Sequence, residues 1–306
     1  MTVSEQARNE LKLYQQNTGL SLGQIAPRIG YARSSLIQFS SNSSYGNGER
    51  CDNQISHLVL EFIKANPSPR PKAPGKLYDT ANTRILRETV ELARNGAISL
   101  IYGPPGTQKS FVFQYLQAET WEKENEPGLV YIYASAAMGR KSLTKEIARG
   151  LCSVAVGTVS DIITNILYTV RERKRMPALI IDEAHHLGGA LDSLEVLREI
   201  ADRAQIGIVL AGHDNLEDIF ESKRGGALEQ WFSRIDYHKR LPGLSADEVR
   251  RIARAELGEV SENILKAVVE GTRVKDYRED ETYLSMRRLV KVLAQAKRSR
   301  TLKAAV

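Results

Sequence analysis

Gly103-Pro-Pro-Gly-Thr-Gln-Lys-Ser110 is the stretch on which the fold turns. It follows the apolar run Ala97-Ile-Ser-Leu-Ile-Tyr102 and precedes Ser110-Phe-Val-Phe-Gln-Tyr-Leu-Gln-Ala118, whose apolar spacing fits a helix. A Gly/Pro loop between a buried strand and a helix turns its backbone N–H groups inward, and the helix adds its positive end. Such a loop is built for phosphate. On this reading Gly103, Pro104, Pro105, Gly106, Thr107 and Gln108 form the cradle, Lys109 places a point charge on the β- and γ-phosphates, and Ser110 coordinates Mg2+. One position departs from the pattern. Gln108 stands where a glycine usually precedes the lysine, and left-handed backbone there costs a side chain about 1–2 kcal/mol.

About 70 residues downstream, the apolar run ending Leu179-Ile-Ile-Asp182-Glu183 supplies the acidic half of a phosphate site. Asp182 at the carboxyl edge of a strand can complete the Mg2+ shell, and Glu183 can polarise the water that attacks a γ-phosphate, so ATP is the expected ligand. Outward from this pair, short apolar runs at 97–102, 129–133, 178–182 and 206–211 alternate with helical patterns at 84–95, 143–152, 159–173 and 191–204. Apolar strands separated by helices imply an α/β fold with a parallel sheet covered on both faces. From Ser245 onward the pattern reads as helical only, which predicts a small helical lid.

The clearest boundary is Asn66-Pro-Ser-Pro-Arg-Pro-Lys-Ala-Pro-Gly-Lys76, where successive X-Pro units favour an extended, semi-stiff spacer between separable modules. Four segments result: residues 1–66, a Pro-rich linker at 67–76, a core at 77–240 and a lid with a basic tail at 241–306. In the first, Ser21 can cap a short helix through Ile29, Gly30 permits a turn, and residues 32–40 supply a second helix anchored by Leu36 and Phe39. That spacing resembles the helix-turn-helix of repressor-type DNA-binding domains, with 54–65 as a closing helix. Arg33, Ser34, Ser35 and Gln38 then face phosphates or base edges. Pro27 objects mildly, as a kink in the first helix, and a small protein-contact module is the other reading. The polar patch 40–48 reads as a flexible turn.

Charge agrees with a polyanionic partner. The 306 residues carry +6 in all, yet residues 1–76 hold +4, residues 77–239 hold −3 and residues 240–306 hold +5. Basic ends attract duplex DNA by releasing counterions from its phosphates. With 42% hydrophobic and 26% charged residues the chain is an ordinary globular one, which excludes disordered and collagen-like classes. No run approaches the roughly 20 apolar residues of a membrane span, Met1-Thr-Val-Ser-Glu5 lacks a signal-peptide layout, and two cysteines make no disulfide framework, so a cytoplasmic home is expected.

The phosphate loop with its acidic partner resembles the AAA+ ATPases, in which a five-stranded parallel sheet is followed by a helical lid. The resemblance implies further residues. His213, after the run 206–211, stands where the family places a residue sensing the γ-phosphate, although Asn, Ser or Thr is usual there. Phe232-Ser-Arg-Ile235 resembles the arginine-finger segment, so Arg234 would reach the nucleotide of a neighbouring subunit, with Arg224 in reserve; an ordinary ion pair is the other reading. Ser285-Met-Arg-Arg-Leu289 looks like the lid motif whose arginine, here Arg287, contacts nucleotide in the same subunit.

Helix-turn-helix, tether and AAA+ module together resemble the AAA+ transposition ATPases of the Mu-type B family, and more distantly TnsC-like and insertion-sequence helper ATPases. What that implies is ATP-dependent assembly of a homo-oligomeric helical filament on double-stranded DNA without strong sequence preference, in a bacterial or phage-infected cell. A transposase is then recruited and activated, and hydrolysis, slow in lone subunits, disassembles the filament. Two other readings stay open: a helicase loader or replication initiator, and a non-hydrolysing DNA-binding scaffold that keeps ATP as a structural ligand.

Overall fold

The computed structural model describes residues 2–18, 20–41, 48–66, 71–124, 126–189, 191–216, 231, 233–276 and 281–304. Five strands, β1 (Ile98–Tyr102), β2 (Leu129–Tyr133), β3 (Ala178–Asp182), β4 (Ile208–Gly212) and β5 (Ile235–Arg240), form one sheet in the order β2-β3-β4-β1-β5. Every pairing is parallel, with Ile98 opposite Ile208 and Tyr133 opposite Asp182. Strands β1, β3 and β4 are buried at every residue, as expected where helices cover both faces. On one face α5 (Ala81–Arg94) and α6 (Lys109–Glu124) bury Leu86, Val90, Val112 and Phe113 against Ile101, Ile180 and Val209. On the other, α7 (Arg140–Gly150), α8 (Val159–Arg171) and α9 (Leu191–Ala204) bury Leu143, Ile162 and Leu197 against Leu100, Leu179 and Leu210.

The strand order places the carboxyl ends of β1, β3 and β4 side by side, and the crossovers leave a crevice beyond them. The lid follows β5. Helices α10 (Ala246–Leu257), α11 (Glu262–Thr272) and α12 (Met286–Ala304) share a core of Val249, Ile252, Leu265, Val268 and Leu289. The all-helical expectation for this region is corrected by an antiparallel pair, β6 (Arg273–Lys275) and β7 (Thr282–Leu284). Each strand has three residues, too few for a period-two pattern to register in the sequence.

At the amino end, α1 (Val3–Thr18) packs along α4 (Gly48–Ala65), and α2 (Leu22–Ile25) and α3 (Arg33–Ser40) share their core. The Ser21 N–H donates to Gln24 Oε1 at 2.9 Å, fixing the start of α2. Pro27 does more than kink the first helix. The α-helix stops at Ile25 and 26–29 continue as a 3-10 turn with Pro27 in its first positions, where its missing N–H is harmless. Gly30 at φ 76 then reverses the chain. Leu36 and Phe39 are fully buried, while Arg33, Ser34 and Gln38 are exposed and Ser35 is half-buried. The turn read at 40–48 falls almost wholly outside the described residues, as do 67–70 of the linker.

The spacer does not hold its two sides apart. Trp121 and Cys152 of the core are buried in the same cluster as Leu11, Tyr14, Leu20, Ile25 and Phe62. Trp121 Nε1 donates to the Thr18 carbonyl at 2.9 Å, Gln24 Nε2 to Glu126 Oε2 at 3.4 Å, and Arg149 Nε to the Ala65 carbonyl at 3.4 Å. Two guanidiniums lie under this contact. Burial lowers the pKa of both, that of Arg173 to about 10, and Arg173 donates to the carbonyls of Pro127 and Leu151 at 2.8 and 2.7 Å. Among the described residues no helix is long and apolar enough to cross a membrane.

Candidate nucleotide site

The crevice opens as a cleft of about 750 Å³, and Lys109, Ser110, Glu183, His213 and Arg287 line it together with Pro105, Gly106, Thr107 and Gln108. Gly103 begins the loop at the end of β1, and Lys109 begins α6. Gln108 has φ 73, so the backbone is left-handed there, the condition under which a side chain carries a cost. Its Oε1 accepts from Thr80 Oγ1 at 3.1 Å, which ties the loop to the start of α5. The lid closes over the loop: the Met286 N–H donates to the Gly106 carbonyl at 3.0 Å and Tyr283 Oη to the Pro105 carbonyl at 2.8 Å. A Cβ at Gly106 would stand 2.1 Å from Ser285 Oγ and 3.2 Å from Arg287 Cβ, so this glycine permits the close approach of the lid.

Lys109 Nζ donates to the Gly103 carbonyl at 2.7 Å and to Thr107 Oγ1 at 3.1 Å, turned inward among the loop's own acceptors. Burial lowers its pKa to about 8, against an upward pull from Asp182 and Glu183. A triphosphate selects the charged amine and raises its pKa on binding. Affinity is therefore expected to be flat below about pH 8 and to fall by up to tenfold per pH unit above it. Titrations at about pH 7 and about pH 9 that give equal affinity would contradict this.

Asp182 is fully buried at the end of β3. Tyr131 Oη donates to its Oδ2 at 2.7 Å and the Glu183 N–H to its Oδ1 at 3.0 Å. The Tyr131 hydroxyl thus holds one oxygen of Asp182, an expected Mg2+ ligand. Sequence reasoning missed Tyr131; its one signal was a hydroxyl-bearing ring at the centre of a short apolar strand. Glu183 has φ 55, a left-handed turn that lifts its carboxylate out of the sheet's line. Its Oε2 lies 3.3 Å from His185 Nδ1 and 3.6 Å from His213 Nε2, and neither Oε2 nor His185 Nδ1 has a hydrogen-bond partner among the described residues. Burial lowers the pKa of His185 and keeps it a neutral neighbour. His185 was also missed.

The remaining site residues divide. Arg287 at the start of α12 joins the cleft, whereas Arg234 does not. Arg234 precedes β5 at the amino edge of the sheet, opposite the phosphate loop, and pairs with Asp202. Arg224 and Phe232 lie outside the described residues. Lys76 at the end of the linker and Tyr78 just after it enter the cleft with Met286 of the lid motif and Val290; no sequence motif announced Lys76 or Tyr78. Both also reach Glu256 of α10, whose carboxyl is held down to about 2 by hydrogen bonds from Lys297, Tyr78 and Lys76.

Residues 93–220 match the family model of the AAA domain. The chain is 22% identical over 276 residues to the Mu-like prophage FluMu DNA transposition protein B of Haemophilus influenzae, covering 85% of this chain and 88% of that protein. Among solved structures it resembles the Aeropyrum pernix ORC1 protein in complex with DNA, with a TM-score of 0.51 and 16% identity, spanning 78% of this chain and 64% of that one. The Aeropyrum pernix ORC2 protein follows at a TM-score of 0.49 and 18% identity, over 73% of this chain and 70% of that one. A five-stranded parallel sheet with a lid and a Gly/Pro loop facing an acidic strand end give the chain an AAA+ fold, with an AAA-domain match over residues 93–220 and similarity over most of its length to the transposition protein B of a Mu-like prophage.

Proposed function

We propose that the chain is an ATP-dependent DNA-binding regulator of transposition, cytoplasmic and DNA-associated. It oligomerises on double-stranded target DNA as a helical filament, recruits and activates a transposase, and disassembles on hydrolysis. One observation carries the ATP step: Lys109, Glu183, His213 and Arg287 converge on a single cleft beneath a closed lid. The likeness to transposition protein B supports the biological setting.

The residues divide the work. Lys109 leaves the loop carbonyls for the β- and γ-phosphates, and the N–H groups of 103–110 cradle them. Ser110 and Asp182 hold Mg2+; a carboxylate that accepts from one hydroxyl and one N–H keeps lone pairs for a cation. When bound, Mg2+ neutralises charge on the phosphate oxygens. Glu183 orients the attacking water from its turned position, His213 reads the γ-phosphate beside it, and Arg287 couples that end to the lid. Arg234 of one copy, released from Asp202, completes the site of the next, with Arg224 in reserve. Arg33, Ser34, Ser35 and Gln38 on α3 meet the duplex.

Glu183→Gln separates a hydrolytic cycle from a scaffold. With ATP and duplex DNA, this variant is expected to form filaments that outlast wild-type ones at least tenfold after transposase is added, as followed by light scattering. Equal lifetimes would favour a non-hydrolysing scaffold. Arg234→Ala is expected to bind ATP and fail to assemble, and normal ATP-stimulated assembly would remove Arg234 from the finger role.

A further inference from the structure

Among the described residues four non-glycine residues hold positive φ, and two of them, Gln108 and Glu183, line the nucleotide cleft. Glu183 has a part in the reaction proposed above. Gln108 has none: a phosphate loop uses only the backbone at that position, and a glycine would supply it without strain. What the strain retains is a side chain. Half-buried Gln108 accepts through Oε1 from Thr80 Oγ1 at 3.1 Å, and Thr80 is fully buried.

Thr80 is a junction. Its hydroxyl caps α5, accepting from the Thr83 N–H at 3.2 Å, and Thr83 Oγ1 donates in turn to the Tyr78 carbonyl at 3.0 Å. Residues 76–81 form a short strap around this cap, and the lid helix α10 holds the strap at three points. The Ala81 N–H donates to Glu248 Oε1 at 2.6 Å, while Glu248 Oε2 accepts from the Ser245 N–H at 2.8 Å. One carboxylate thus joins the starts of α5 and α10. Arg251 donates to the Asp79 carbonyl. Glu256 accepts from Tyr78 Oη and, at 3.1 Å, from Lys76 Nζ. Lys76 and Tyr78 line the cleft together with loop residues 105–110 and the lid residues Met286, Arg287 and Val290.

We infer that Gln108 is a positioning residue that, through Thr80 and this strap, makes the phosphate loop and the lid move as one body and so slows the release of bound nucleotide. Loop, strap and lid are three walls of one cleft, and a nucleotide leaves when the lid lifts from the loop. The lid cannot lift without pulling the strap, and the strap cannot move without breaking the bond to Gln108. Met286 and Tyr283 already join lid to loop directly, at Gly106 and Pro105; the strap adds a second connection. A glycine at 108 would lack it, so the departure from the phosphate-loop pattern acts as a control on exchange. The inference rests on the ATP-site reading above and concerns how fast that site exchanges its ligand.

The test follows ADP carrying a fluorescent methylanthraniloyl group, bound with Mg2+ to the full-length protein and displaced by excess unlabelled ADP in stopped flow. Gln108→Ala and Thr80→Val, which cut the bond from either end, are each expected to speed release about five- to tenfold, the worth of one partly buried hydrogen bond. Thr80→Ser keeps the hydroxyl and should release at the wild-type rate. The lid-end variant R251A/E256A leaves the loop untouched, alters one exposed and one half-buried residue, and should speed release by a similar factor. Both cuts open the same line, so Q108A/R251A/E256A is expected to stay within about twofold of the faster parent, whereas independent effects would multiply to roughly 25- to 100-fold. Melting curves check that each variant folds. Should Thr80→Val lose its fold with the α5 cap, the Gln108→Ala and lid-end variants decide alone. A wild-type rate in either of these overturns the inference, as do multiplied rates in the combined variant or a Thr80→Ser rate equal to that of Thr80→Val. If the wild-type chain binds no labelled ADP, the underlying nucleotide-site reading has failed.

Discussion

Lys109→Ala is expected to lower affinity for Mg2+·ATP by two to three orders of magnitude and to abolish ATP-dependent DNA binding. A charged hydrogen bond to phosphate contributes about 1.5–3 kcal/mol, so on the proposed reading, with the lysine on two phosphates, a loss of roughly 3–4 kcal/mol follows. Stability should change little. The ammonium is desolvated enough to bring its pKa to about 8, so removing it relieves a cost that offsets the lost bonds to Gly103 and Thr107. Calorimetric titration of the variant and its melting curve separate the two effects. Affinity within threefold of wild type would reject the phosphate-loop argument.

Trp121→Ala should produce the largest stability loss. The ring is 1% exposed and lies where α6 leaves the core and meets the amino-terminal helices, and its N–H satisfies the Thr18 carbonyl. Truncating a buried tryptophan costs about 3–5 kcal/mol through the cavity it leaves, and a carbonyl loses its donor. For a chain of this size the melting temperature should fall by on the order of 10 °C. Protease cleavage in the Pro-rich segment should accelerate as the two sides part. An unchanged melt with unchanged cleavage would mean that the amino-terminal helices swing free of the core. This contact also bears on the expectation that the spacer joins separable modules. Removing residues 1–66 would uncover Trp121 and Cys152, so a truncation reports on packing as well as on DNA contact.

Local sequence carried the AAA+ core because its signals are local. Gly103 to Ser110 and Leu179 to Glu183 are contiguous motifs, and the buried strands are mostly apolar runs whose ends vary by a residue or two. Helix α1 escaped because its charged and amide residues dilute Ala7, Leu11, Tyr14 and Thr18, which fall on one face at helical spacing and are all buried. The docking of the two sides was illegible for a different reason. Trp121 and Cys152 sit in segments that pack the sheet, and nothing in a one-dimensional pattern tells which second surface such residues meet. Tyr131, His185 and Tyr78 reach the cleft only through the strand order and the lid, which are long-range facts.

Electron microscopy of the wild-type chain with duplex DNA, with and without ATP, tests the central claim most directly, because that claim joins nucleotide, neighbouring subunits and DNA in one assembly. Continuous helical filaments that appear with ATP and are absent without it are the expected result. Closed rings, isolated subunits, or filaments indifferent to ATP would contradict the account.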